Sequence, residues 1–204
     1  MNIIKGISNF IQNGINFFTK DSNILEYRFL VLGEKSVGKT SFITKAINNS
    51  FDLEIQPSLK SESYNMKLKL GENKIIVHLI DISTSELSKN HEDIFRNING
   101  AFVLYDITKH STFEKLETFI SDINGNLGES FPIVLIGNKK DLSHLRKVHE
   151  IELKELAFQL NCDYFETTCI YEESVFNIIK FLVFKAYYNS LSDKKKNEIL
   201  KMFK

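Results

Sequence analysis

The run Arg28-Phe29-Leu30-Val31-Leu32 passes without a break into Gly33-Glu34-Lys35-Ser36-Val37-Gly38-Lys39-Thr40-Ser41, and helical spacing begins at once in SFITKAIN. This junction constrains the chain more than any other stretch. A short apolar strand, a glycine-flanked loop ending Gly-Lys-Thr and a helix make the G-x-x-x-x-G-K-[ST] pattern in the context it requires. The glycines let the backbone curl so that successive N–H groups converge on phosphate oxygens. The helix that begins near Lys39 adds the positive end of its dipole. Lys39 is placed to reach β- and γ-phosphates, and the Thr40 hydroxyl to ligate Mg²⁺. The loop residues Gly33, Lys35, Ser36, Val37, Gly38, Lys39, Thr40 and Ser41 are therefore the first candidate binding residues. The pattern implies a nucleoside triphosphate without choosing the base.

The rest of the chain agrees with a strand–helix alternation. Tyr64, Met66, Leu68 and Leu70 alternate as in a half-exposed strand, and Gly71-Glu72-Asn73 turns into IIVHLI. AFVLYD, PIVLIG and DYFET read as further short strands, separated by helical stretches around 111–124, 148–161 and 172–189. Buried strands alternating with helices predict an α/β fold on a parallel sheet, with one antiparallel hairpin at 64–80.

At 204 residues with 43% hydrophobic content, the chain suits one domain with a proper core. Lys+Arg and Asp+Glu each number 26, so the charge balance does not call for nucleic acid or an acidic substrate. Cys162 and Cys169 form no CxxC motif and read as two thiols of a reduced compartment rather than a zinc site or disulfide framework. No apolar run approaches the length of about 18 residues that crosses a bilayer.

The base is chosen by Asn138-Lys139-Lys140-Asp141, which closes the strand PIVLIG. A carboxylate at Asp141 accepts from a ring N–H and an exocyclic amine on one edge, a pair that guanine presents and adenine does not. Asn138 is placed to tie this loop to the phosphate loop, and the stem of Lys139 to lie over the ring. The expected cofactors are therefore GTP or GDP with Mg²⁺. An NKxD tetrapeptide is weak alone. Preceded by the phosphate loop and followed by Glu166-Thr167-Thr168-Cys169, it is strong.

With these motifs the sequence resembles the small GTPases of the Ras superfamily, and AFVLYDITKHSTFEKLETFISDI and PIVLIGNKKDL look most like the Rab branch. The resemblance implies a P-loop NTPase of the Ras-like G-domain type over residues 26–190, with a six-stranded, mostly parallel sheet flanked by helices. It implies a GDP/GTP switch in vesicle traffic whose switch regions meet effector and regulator proteins. By the same likeness Phe51 would lie against the guanine, and Ser58 would ligate Mg²⁺ and sense the γ-phosphate. Asp81 would hold Mg²⁺ through a water. Thr168 and Cys169 replace the family's Ser-Ala, with the Cys169 N–H still able to meet the guanine oxygen. Lys39 and Ser58 are the residues expected to act on the reacting phosphate.

Two departures bear on hydrolysis. The family's second switch begins Asp-x-x-Gly-Gln; here Asp81-Ile82-Ser83-Thr84-Ser85 puts Thr84 where a bare backbone approaches the γ-phosphate and Ser85 where Gln orients the attacking water. Lys35 occupies a loop position where the family keeps a small residue. Its side chain either crowds the attacking water or points to solvent, with direct charge neutralisation a third reading. Binding with slow hydrolysis is expected, and the rival is a catalytically dead, nucleotide-holding interaction module. His91 is the nearby replacement base to test. A P-loop kinase or ATPase is disfavoured by NKKD.

Residues 1–25 stand apart. Ile3, Ile7, Phe10, Ile11, Ile15 and Phe18 recur at helical spacing among polar residues, too interrupted for a signal peptide. The stretch reads either as a peripheral membrane contact or as a helix packed on the protein itself. Residues 191–204 read as a basic tail, with five Lys against two acids in the last twelve positions. The printed chain ends Lys-Met-Phe-Lys, without a prenylation motif. A cytoplasmic protein, peripheral on an intracellular membrane if the N-terminal stretch reaches one, is the expectation.

Overall fold

The structure is a computed structural model that describes residues 25–48, 62–70, 73–82, 92–170 and 172–201. Phe51, Ser58, Thr84, Ser85 and His91 lie outside the described residues, as does the N-terminal stretch before Leu25.

Six strands form one sheet: β1 (Leu25–Gly33), β2 (Glu62–Leu70), β3 (Asn73–Asp81), β4 (Gly100–Asp106), β5 (Ile133–Asn138) and β6 (Asp163–Glu166). Their order is β2-β3-β1-β4-β5-β6, with β2 antiparallel to β3 and every other pairing parallel. The sheet is thus mixed but mostly parallel, as the sequence predicts. Every residue of β4 and β5 is buried, as expected for strands covered on both faces.

The helices are α1 (Lys39–Asn48), α2 (His110–Phe113), α3 (Leu116–Leu127), α4 (Glu150–Gln159), α5 (Glu172–Ser190) and α6 (Asp193–Lys201). One face of the sheet carries α1 and α5, where Phe42, Ile43, Ile179 and Leu182 meet Phe29, Val77 and Phe102. The other carries α3 and α4, where Phe119, Ile120, Leu153 and Leu156 meet Leu30, Val103 and Leu135. Side chains of β4 alternate between the two clusters, Phe102 and Leu104 to one, Val103 and Tyr105 to the other. The single helical stretch expected near 111–124 is divided into α2 and α3. The stretch read as a basic tail contains α6.

His78, read as a strand residue, sits in β3 between Arg28 of β1 and Asn65 of β2. Its Nδ1 is 2.6 Å from Asn65 Oδ1, and its Nε2 is 3.7 Å from Glu26. No helix among the described residues is long and apolar enough to cross a membrane.

Candidate functional site

The registers bring five strand ends to one edge. Val31 pairs with Asp81, Gly33 with Leu104, Asp106 with Asn138 and Gly137 with Glu166. The chain leaves β1 toward β3 on one side and returns to β4 on the other. Ligands of open α/β sheets bind at such a reversal, outside the carboxyl ends of the strands. The phosphate loop, the NKKD loop and the ETTC segment all start from this edge.

The loop after β1 is shaped by its glycines. Gly33 has φ 145°, and a Cβ there would stand 2.4 Å from the Leu104 carbonyl oxygen. Gly38 has φ 98°, and its Cβ would stand 2.4 Å from Asn138 Nδ2. Between them Ser36 is left-handed with φ 68°. Val37 buries its side chain in the core beneath the loop. Lys39 Nζ donates to the Gly33 and Glu34 carbonyls at 2.9 and 3.2 Å, closing the loop across its own mouth. Thr40 and Ser41 are exposed at the start of α1, as is Lys35 in the loop.

Asp81 ends β3 beside β1 and brings its carboxylate to α1: Thr40 Oγ1 donates to Asp81 Oδ2 at 3.2 Å. A hydroxyl and a carboxylate oxygen converging at the start of a helix are the hard donors that Mg²⁺ takes. These two residues fit that ion.

Asn138 lies across the junction between the two loops. Its side chain is buried, its Nδ2 donates to the Val37 carbonyl at 2.9 Å, and its Oδ1 lies 3.6 Å from Cys169 Sγ, which donates to it. Lys139 is left-handed with φ 67°, a conformation disfavoured by roughly 1 kcal/mol or more for a residue with a side chain. Two contacts of its ammonium offset that strain: Nζ donates to the Ser36 carbonyl at 2.9 Å and to Asp106 Oδ2 at 2.5 Å. Thr168 Oγ1 donates to Asp141 Oδ1 at 2.5 Å, fixing the carboxylate that is expected to read the base. Thr168 Oγ1 in turn accepts from the Ile170 N–H at 3.2 Å. The Lys140 N–H bonds the Thr167 carbonyl at 3.0 Å, so the NKKD and ETTC segments are laced directly.

Three participants were not singled out from the sequence. Asp106 ends β4, buried, and accepts from the Thr108 N–H and hydroxyl at 2.9 and 2.7 Å as well as from Lys139. Its place at the carboxyl end of a parallel strand was the available signal. Arg146 grips the buried Glu166 with two bonds of 2.5 and 2.9 Å, holding the far end of the NKKD loop against β6. Such bidentate pairing fixes orientation as well as charge.

Burial pushes the Asp106 carboxyl up, but the bonds from Lys139 and Thr108 outweigh it and hold its pKa below the ordinary value. A carboxylate with a lowered folded pKa adds stability above its unfolded value, and that part is lost as pH falls through the folded value. The window lies below about pH 4, the unfolded aspartate range. Asp106→Asn should therefore flatten the acid limb of the stability curve, measured by urea titration from pH 2 to 7. An unchanged slope below pH 4 would contradict this. Burial also raises both cysteines, Cys162 to about 11 and Cys169 in the same direction, so neither is a ready thiolate.

A family model described as the Ras family matches residues 28–188. The chain is 26% identical over 162 residues to the Ras-related protein Rab11B of Nicotiana tabacum, covering 79% of this chain and 75% of that protein. It is 27% identical over 152 residues to the Ras-related protein RABA1c of Arabidopsis thaliana, covering 74% and 70%. The Ras-related protein RABA1g of Arabidopsis thaliana matches at 26% over 162 residues, 79% of this chain and 75% of that one.

Proposed function

This chain belongs to the Ras family, and on that premise we propose that it is a Rab-like small GTPase, a switch that binds GDP and GTP with Mg²⁺, acts in vesicle traffic and hydrolyses GTP slowly. One observation carries the reading: Asp141, oriented by Thr168, sits on a loop that Asn138 and Lys139 bolt to the phosphate loop. Base recognition and phosphate recognition are thereby held in one frame, which is what a guanine nucleotide needs and a phosphate loop alone does not supply.

Each residue has a task in this proposal. The loop N–H groups between Gly33 and Thr40 receive phosphate oxygens, and Lys39 exchanges its own-loop carbonyls for the β- and γ-phosphates. Thr40 would hold Mg²⁺ directly, Asp81 through a water and Ser58 from the first switch; the ion would supply charge neutralisation across the phosphates. Phe51 covers the guanine, and the Cys169 N–H meets its oxygen. Effectors and regulators engage the segments around Ser58 and Thr84. The second reading, a nucleotide-holding module without turnover, is favoured by Thr84 and Ser85 at the places where the family carries Gly and Gln.

Competition against a fluorescent GDP tests the binding claim. GDP and GTP should displace it at least about 10²-fold better than ADP and ATP, since two hydrogen bonds to a charged acceptor contribute about 1.5–3 kcal/mol each. EDTA should weaken the guanine nucleotides. Equal competition by ATP would sink the proposal.

A further inference from the structure

Helix α4 turns one face to the sheet and the opposite one to solvent. Leu153, Leu156 and Ala157 enter the core. At about 100° per residue, Ile151 and Phe158 fall within about 20° of each other on the far side of the helix. Phe158 is 88% exposed and Ile151 55%. Among the described residues four large apolar side chains are exposed, and these are the two that share one element. Single exposed apolar side chains need no explanation. Two aligned about 10 Å apart along one helix form a seam.

Charges flank that seam. Lys154 and Glu155 lie between the two apolar residues along the axis, about 50° to either side of the line that joins them. Both are exposed, and among the described residues neither side chain takes an ion pair or a hydrogen bond.

An apolar seam with a cation on one flank and an anion on the other is complementary to a copy of itself. When two such helices run parallel about a two-fold axis, Ile151 meets Ile151 and Phe158 meets Phe158 of the second copy. Each Lys154 then faces the second copy's Glu155. In an antiparallel pair Lys154 falls beside Lys154 and Glu155 beside Glu155, and like charges oppose the contact. The charge pattern therefore selects both the occupant and its direction. It also disfavours an anionic lipid surface, because Glu150, Glu152 and Glu155 outnumber Lys154 on this helix.

We propose that the outward face of α4 is a docking surface for a second copy of this chain, the two helices packing in parallel through Ile151 and Phe158 with Lys154 and Glu155 bridging between copies. The two-fold axis then runs along the helices, so both candidate nucleotide sites face the same end of the pair. One helix face is a small contact, at the low end of interface sizes, and the association is accordingly weak and concentration-dependent. The inference rests on packing and charge and is independent of the nucleotide proposal.

Sedimentation equilibrium of the full chain, from micromolar to millimolar, tests it, with far-ultraviolet circular dichroism to confirm that each variant is folded. The weight-average mass should rise with concentration from 23.6 kDa toward twice that value. Phe158→Ser, which leaves the core untouched, should weaken association at least about tenfold, the factor for 1.4 kcal/mol. Lys154→Glu should also weaken it, by setting acids against each other across the pair. Lys154→Glu combined with Glu155→Lys should restore it, which a merely damaged helix would not allow. A wild type that stays monomeric throughout would overturn the proposal. So would association that Phe158→Ser leaves unchanged, since the contact would then lie elsewhere. A single charge reversal without effect, or a double reversal that fails to restore pairing, would refute the parallel arrangement. A monomer that binds phosphatidylcholine–phosphatidylserine vesicles through Phe158 would make the membrane the occupant instead.

Discussion

Asp141→Asn should lower the affinity for GDP and GTP by about 10²–10⁴-fold, since it removes a charged acceptor from two hydrogen bonds of about 1.5–3 kcal/mol each. The expected loss is specific, because Thr168 Oγ1 already occupies Asp141 Oδ1 at 2.5 Å. An asparagine carbonyl keeps that bond and turns its amide NH₂ toward the base, where guanine also offers donors. Donor then faces donor. Xanthine, which presents a carbonyl where guanine has its amine, should recover binding to the same variant. Titration of both diphosphates by fluorescence decides the matter. Unchanged GDP affinity in Asp141→Asn would mean that this carboxylate does not read the base, whatever the loop geometry.

The second large effect concerns turnover. Wild-type protein loaded with GTP and Mg²⁺ should hold it over hours. The combined Lys35→Gly, Thr84→Gly, Ser85→Gln variant should convert it about 10²-fold faster, the scale on which misplacement of a reacting group by about 1 Å acts. The exposure of Lys35 divides that effect unequally. Lys35→Gly alone should change little, and the pair at Thr84 and Ser85 should carry the gain, through a bare backbone near the γ-phosphate and a side chain long enough to orient water. Single-turnover chromatography of bound GTP and GDP reads both. Rapid conversion by the wild type would refute this account of the second switch.

Much of the architecture was legible from residue order alone. Apolar runs of strand length between helical stretches specify a parallel sheet, and the antiparallel hairpin was visible in the alternation from Tyr64 to Leu70. Helix α6 was not, because a lysine-rich stretch reads as a solvated tail. Its acid at Asp193 nevertheless suits the first turn of a helix, where the dipole is positive. In the site, Asn138 was foreseen as the tie to the phosphate loop, and it bonds Val37. Asp106 was not foreseen as part of that tie. In sequence it is merely the last residue of a strand, 33 positions from Lys139, and only the side-by-side registry of β4 and β5 makes them neighbours. Arg146 and Glu166 escaped for the same reason: a pair spanning two segments leaves no local pattern.

The Lys139 ammonium has a consequence for time rather than affinity. It joins Ser36 after β1, Asp106 at the end of β4 and its own loop after β5, so that movement of one of these segments away from the others breaks a bond. Such a clasp couples the three segments on the base side. If a guanine nucleotide binds here, its departure on the base side would then require the three segments to part together.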